Sequence, residues 1–219
     1  MQGAPLLSSA RMYSGITRGL YPVVAVDVGD GVICFSVELS PELVSGAEVG
    51  ASISVDGVCL TAVKVAGQRV SFDVVAESLS RSTLATLHEG RLVSVERSCR
   101  AGDELGGHDV FGHVIGTGEV LARKHEGAEF ALTIGVPAAW MKYILHKGFI
   151  ALDGSSLTVG DVREAGSFDV HLIPETLRVT AFAQKQVGSL VNVELDPRTV
   201  AIVDTVERVL RERELTAKK

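Results

Sequence analysis

Basic residues are in the minority, cysteines are few, and long apolar runs are missing. Against 27 Asp and Glu stand 21 Lys and Arg, a net charge of −6, the wrong sign for a nucleic-acid footprint. Three cysteines in 219 residues, Cys34, Cys59 and Cys99, are too few and too scattered for a disulfide framework or a CxxC zinc site. No apolar stretch reaches the roughly 18 residues of a spanning helix. Nor does the chain carry a Walker loop, a GxGxxG turn or a GxSxG elbow. Nucleotide hydrolysis, Rossmann redox chemistry and α/β-hydrolase chemistry therefore lose their usual support. What remains is 46% hydrophobic and 22% charged, ordinary for a globular chain. It is expected to be cytoplasmic and reduced.

The chain repeats itself once. Asp56-Gly57-Val58-Cys59-Leu60-Thr61 matches Asp153-Gly154-Ser155-Ser156-Leu157-Thr158, and Phe72-Asp73-Val74 matches Phe168-Asp169-Val170. Glu77-Ser78-Leu79 matches Glu175-Thr176-Leu177, and Val93–Glu96 matches Val191–Glu194. The offsets lie between 96 and 98, and blocks in one order at one offset indicate duplication. The boundaries expected are a disordered extension over residues 1–11, halves over 12–108 and 109–199, and a helix with its tail over 200–219. Short segments rich in β-branched residues, such as Val23–Val26, Val32–Val37, Ser52–Val55, Val70–Val74 and Leu92–Val95, are separated by turn formers. They predict an all-β fold, with each half closing into a small barrel that protects its edges. Glu77–Leu87 and Pro137–Leu145 are expected to form short connecting helices. At the end, Asp196 reads as an N-cap and Pro197 as the first helical residue. Ile202, Val206, Val209 and Leu210 then make one apolar stripe. A second copy of the helix is the favoured cover, and the chain's own barrel is the alternative.

Period-two alternation puts Cys59 and Thr61 on one face of a strand, and Ser156 and Thr158 on one face of its repeat partner. Such paired polar groups either bond backbone next to the turn or line a pocket for a polar heterocycle. His108 and His113 fall within one six-residue stretch at the join of the halves, without the spacing of a metal site. His113 is a candidate proton carrier near neutrality, whereas His108 is read as structural. Lys147 reads locally as a solvated lysine. Glu77 and Glu175 are candidates to accept hydrogen bonds from a ligand.

Met12-Tyr13-Ser14-Gly15-Ile16, the two Asp-Gly blocks, Leu105-Gly106-Gly107-His108 with Gly112-His113-Val114, and Leu172-Ile173-Pro174-Glu175-Thr176-Leu177 together resemble riboflavin synthase of the α-chain type. The resemblance runs from Met12 to about Glu214. It implies two similar six-stranded Greek-key barrels plus a C-terminal helix that helps to form a homotrimer. The implied reaction dismutates two molecules of 6,7-dimethyl-8-ribityllumazine to riboflavin and 5-amino-6-ribitylaminouracil, with no cofactor and no metal. A lumazine synthase shell around the trimer is a further partner that the resemblance raises. One pocket would use Cys59, Leu60, Thr61, the run Asp73, Val74, Val75, Ala76, Glu77 and Ser78, then Gly112, His113, Val114, and Lys147 from a neighbouring subunit. The other would use Gly15, Ile16, Thr17, Ser156, Leu157, Thr158 and the run Leu172, Ile173, Pro174, Glu175, Thr176 and Leu177. The catalytic roles implied fall to His113 for proton transfer at the C7 methyl, Cys59 for stabilising or adding to the ring, and Ser52 for positioning. Tyr13 replaces the family's usual Phe and Phe111 its usual Ser, so the Tyr13 ring is expected to matter and its hydroxyl to be dispensable. A non-catalytic lumazine- or flavin-binding protein of the same fold is the alternative.

Overall fold

The computed structural model describes residues 12–29, 31–127 and 129–217; the extension expected over residues 1–11 lies outside them. The first half runs β1 (Leu20–Gly29), β2 (Val32–Glu38), α1 (Pro41–Val44), β3 (Ser52–Val55), β4 (Val58–Ala66), β5 (Arg69–Val75), α2 (Ala76–Arg81), a 3-10 turn (Thr83–Thr86) and β6 (Leu92–Arg97). The second runs β7 (Gly116–Glu126), β8 (Glu129–Gly135), a 3-10 turn (Ala138–Tyr143), β9 (Phe149–Leu152), β10 (Ser155–Arg163), β11 (Ser167–Leu172), α3 (Pro174–Val179), a 3-10 turn (Ala181–Gln184) and β12 (Leu190–Leu195). α4 (Pro197–Ala217) follows.

Each half closes into a six-stranded antiparallel barrel, in the order β1-β2-β5-β4-β3-β6 and β10-β11-β8-β7-β12-β9. Alternation decides what fills them. In β5, Val70, Phe72 and Val74 point inward while Arg69, Asp73 and Val75 point out. Phe168, Val170 and Leu172 of β11 repeat the pattern. Phe35 packs against Phe72 in a tilted pair with ring centroids 5.3 Å apart, and each such enclosed side chain contributes roughly 1.5–3 kcal/mol. The lumens are packed cores, so any ligand must bind outside them.

Two features lock the barrels together. Asp56 and Gly57, at φ 45° and 81°, form the two-residue turn joining β3 to β4, and Asp153 and Gly154, at 43° and 81°, do the same between β9 and β10. Positive φ at both turn positions is what such hairpins demand. These turns are buried rather than exposed, because they press on each other: a Cβ on Gly57 would lie 2.5 Å from the Gly154 amide nitrogen. The Asp56 carboxylate accepts from the Ser94 amide and from Arg91, both at 2.7 Å. Asp153 accepts from the Asn192 amide at 2.7 Å and pairs with Lys185 at 2.9 Å. Burial, then the facing Asp153 charge, raises Asp56 to about 6. Asn192 spans the seam, donating to the Asp56 carbonyl and accepting from the Thr83 amide, both at 2.7 Å.

α4 behaves differently. Asp196 caps it, accepting from Thr199 Oγ1 at 2.6 Å and from the Thr199 amide at 3.2 Å. Val200 packs against the core of the second barrel, and the other anchors are polar: Tyr143 donates to Asp204 at 2.6 Å and Lys142 to Glu207 at 2.7 Å. The apolar stripe faces away, with Ile202 64%, Val206 51% and Leu210 52% exposed. No helix among the described residues is long and apolar enough to cross a membrane.

Candidate ligand-binding site

The segments leading into the two barrels cross. Tyr13 and Val110 pair as an isolated antiparallel bridge, with N–H···O distances of 2.7 and 3.1 Å. Beyond the bridge each segment runs onto the outer wall of the opposite barrel. The Gly112 carbonyl accepts from the Cys59 amide at 3.0 Å, and the Gly15 carbonyl accepts from the Ser156 amide at 2.8 Å. Both glycines are left-handed, at φ +73° and +72°. A Cβ at Gly112 would sit 2.5 Å from the Cys59 Cβ, and one at Gly15 would sit 2.5 Å from the Ser156 Cβ. Glycine here supplies both the conformation and the close approach.

The first crossing shapes a cleft of about 360 Å³ on the wall of the N-terminal barrel. Cys59 and the start of α2, with Glu77, Ser78 and Arg81, form one side; Gly112, His113, Val114 and Ile115 form the other. Backbone carbonyls, a thiol, hydroxyls, an imidazole and a guanidinium thus ring a half-apolar slot, the composition expected for a flat polar heterocycle. A larger groove of about 630 Å³ follows α4, but Lys142 and Glu207 on its walls already neutralise each other at 2.7 Å.

The sequence-derived residues sort themselves by face. Cys59 and Thr61 point outward while Leu60 points into the core. Leu60, Val74, Leu157 and Leu172 are buried core residues, so they offer a ligand backbone only. Ser52 lies opposite Thr61 in the β3–β4 register and is buried. At the repeat crossing Gly15 lies against Ser156, and Thr17 Oγ1 and Ser155 Oγ are 2.8 Å apart. Thr158 is exposed on the same face, while Ile173, Pro174, Glu175, Thr176 and Leu177 open α3 as Val75, Ala76, Glu77 and Ser78 open α2. Lys147, at φ +62°, stands exposed before β9 on the C-terminal barrel and does not line the Cys59 cleft of its own chain.

Several contacts at the site go beyond what the sequence shows. Glu77 is paired with Arg81 and Glu175 with Arg178, the latter at 2.6 Å, so each glutamate already has a cation on its own helix. The Tyr13 hydroxyl, expected to be dispensable, donates to the Cys59 sulfur at 3.1 Å from a fully buried ring. His108 is structural, as predicted: Nδ1 lies 2.6 Å from the Ser156 hydroxyl and the ring stacks on Phe149 at 5.1 Å. Burial lowers its pKa. Phe111, in place of a serine, stacks beside His113 with centroids 6.1 Å apart. Arg81 is a cleft residue that sequence reasoning missed, although its position one helical turn after Glu77 is a legible i,i+4 pair. Among the described residues, no group of three or more His, Cys, Asp or Glu is arranged to hold a metal ion.

The family model described as lumazine binding domain matches residues 14–98 and again 111–196. Riboflavin synthase from Escherichia coli (strain K12) is 44% identical over 204 residues, spanning 93% of this chain and 95% of that protein. Riboflavin synthase from Chlamydia trachomatis serovar D is 45% identical over 167 residues, or 76% and 81% of the two chains. The crystal structure of LumP complexed with riboflavin superposes with a TM-score of 0.78 at 23% identity, over 84% of this chain and 100% of that one. LumP complexed with 6,7-dimethyl-8-(1'-D-ribityl) lumazine gives 0.75. The likeness to LumP is one of fold.

Proposed function

The chain belongs to the riboflavin synthase family and carries two lumazine-binding domains, and on that premise we propose that it converts two molecules of 6,7-dimethyl-8-ribityllumazine into riboflavin and 5-amino-6-ribitylaminouracil. The observation that carries the reading is the duplicated crossing: Gly112 lies on Cys59 beside the first cleft, and Gly15 lies on Ser156 by the same contacts, where we read the second cleft. A reaction that consumes two copies of one molecule calls for two such clefts. A four-carbon unit passes from donor to acceptor, and the two products together contain every atom of the two substrates. No net oxidant or reductant enters the balance.

The protein's part is to hold the rings and move protons. Stacking two heterocycles in register supplies up to roughly 7–11 kcal/mol through proximity. His113, exposed at the cleft rim beside Phe111, takes the acidic C7-methyl proton of the bound lumazine. Cys59, held by the Tyr13 hydroxyl, faces the ring and stabilises it as charge develops, and Ser52 supports the wall behind Thr61. The two clefts of one chain belong to different barrels, so the facing pair forms between the N-terminal barrel of one subunit and the C-terminal barrel of the next. Lys147 enters from that neighbour. The bare stripe of α4 supports a homotrimer built on this helix, in a cytoplasmic enzyme. A carrier without activity is not favoured, since Cys59, Thr61, His113, Ser156 and Thr158 are all present.

Incubation with the lumazine alone tests the reading: one riboflavin should appear for every two lumazines consumed, followed by flavin fluorescence. Tight binding without turnover would reject it. His113→Gln and Cys59→Ala should each lower turnover on the order of 10²-fold, the scale of a positioned acid–base group. Thermal melts of both variants should stay within a few degrees of the parent. Full activity in both would remove these residues from the mechanism.

A further inference from the structure

Two buried glutamates stand at repeat-equivalent positions, Glu96 at the end of β6 and Glu194 at the end of β12, each 5% exposed. Their hydrogen-bond partners are amides and a hydroxyl rather than cations. Glu194 accepts from the Phe111 amide at 2.7 Å through one oxygen and from the Gly112 amide at 2.9 Å through the other. The His113 amide is close enough to help lower its pKa. Three successive N–H groups around a left-handed glycine make a concave anion-binding nest, here filled by the protein's own carboxylate. Glu96 accepts from the Ser14 amide at 2.8 Å and the Ser14 hydroxyl at 2.7 Å; its second oxygen is buried without a hydrogen bond among the described residues.

Burying an anion is costly unless its lone pairs are well met, and at Glu96 the nearby Arg18 charge offsets part of that cost. Burial pushes Glu194 up to about 7 against the pull of the three amides. A carboxylate held under such a penalty in both halves has a role that an apolar side chain cannot fill. Its contacts identify that role. Glu194 grips the segment that lies on Cys59, and Glu96 grips the segment that lies on Ser156.

We propose that Glu194, although it belongs to the C-terminal barrel, is the positioning residue for the ligand cleft of the N-terminal barrel, and that Glu96 of the N-terminal barrel positions the cleft of the C-terminal one. Each carboxylate fixes the incoming segment so that Gly112-His113, or Gly15-Ile16, meets the ligand at a set distance. The control is crossed: the barrel that supplies the glutamate is not the barrel whose cleft it completes. The proposal rests on reading both clefts as lumazine sites.

The test uses the full chain and its Glu194→Gln and Glu96→Gln variants, titrated with 6,7-dimethyl-8-ribityllumazine by fluorescence. Gln keeps the shape but loses one acceptor oxygen and the charge, so a weakening on the order of tenfold is expected. It should fall on one of the two sites per chain in each variant, and on a different one in each. Glu194→Gln combined with His113→Gln should be less than additive, because both act through one segment. Glu96→Gln with His113→Gln should be additive. Amide exchange without ligand gives an independent reading: Glu194→Gln should speed Phe111, Gly112 and His113 and leave Ser14 and Gly15 unchanged, and Glu96→Gln the reverse. Both sites weakened alike, together with a lower melting temperature, would make the glutamates general stabilisers and overturn the proposal. So would unchanged exchange and unchanged affinity. Failure of the parent protein to bind lumazine at all would overturn the functional reading and this inference with it, whereas two intact sites in Glu194→Gln would overturn the inference alone.

Discussion

Truncation after Asp196 is expected to leave a folded monomer with almost no turnover. Both barrels are complete at Leu195, so removing α4 takes no strand from either core. The anchors lost within the chain are the Val200 contact with the second core and exposed polar pairs, chiefly Tyr143–Asp204 at 2.6 Å and Lys142–Glu207 at 2.7 Å. Solvent-exposed pairs of that kind contribute little to stability. What truncation removes instead is the uncovered stripe, with Ile202 64% and Val206 51% exposed. Enclosed by two other copies, each such side chain would contribute roughly 1.5–3 kcal/mol. Sedimentation of the truncated protein should show a single chain, with a cooperative melting transition lowered by the lost interface and weak lumazine binding. A truncated protein that still sediments as a trimer would refute the role given to α4, and a monomer with full turnover would refute the shared site.

Gly112→Ala is the point substitution expected to do most damage, lowering turnover by at least on the order of 10²-fold. Two costs coincide. An L side chain at φ +73° is disfavoured by roughly 1–2 kcal/mol. The new Cβ would also meet the Cys59 Cβ at 2.5 Å and its amide nitrogen at 2.6 Å. The segment has to lift, the Cys59 amide loses its acceptor, and His113 moves with it. Gly15→Ala should do the same to the other cleft. Gly67→Ala is the control, with a similar φ of +61° but nothing within 4 Å of its Cβ; it should lose a little stability and no activity. Initial rates with the lumazine would decide, and Gly112→Ala at parental rate would sink the assignment of this crossing to the active site.

Much of this architecture can be read from the chain because its determinants are local. Alternating Val70, Phe72 and Val74 declare a half-buried strand, Asp-Gly declares a two-residue hairpin, and Asp196-Pro197 ahead of a 3.6-period stripe declares the final helix. The repeat then supplies each half with a second witness. Other features depend on partners far away in sequence. Nothing around Tyr13 announces that it pairs with Val110, or that its hydroxyl ends on Cys59, 46 residues on. Asp56 and Asp153 look like surface turns and are buried only because they meet one another. α1 and α3, at four and six residues, are too short for periodicity to register. The glutamates of β6 and β12 sit in ordinary strand sequences, and only the bonds reveal what they hold.

The crossed leader segments also bear on how such a chain can be divided. A fragment ending at residue 108 would keep Cys59 but lose Gly112-His113, and a fragment beginning there would keep Ser156 but lose Gly15-Ile16. Two copies of a single ancestral barrel, each lending its leader to the other, would form the same pair of clefts as a segment-swapped dimer. Fusing the copies in tandem turns that bimolecular exchange into an intramolecular one, at an effective concentration set by the linker rather than by the cell. Split halves mixed in solution should therefore regain both clefts only above a threshold concentration, a dilution sensitivity that the fused chain has removed.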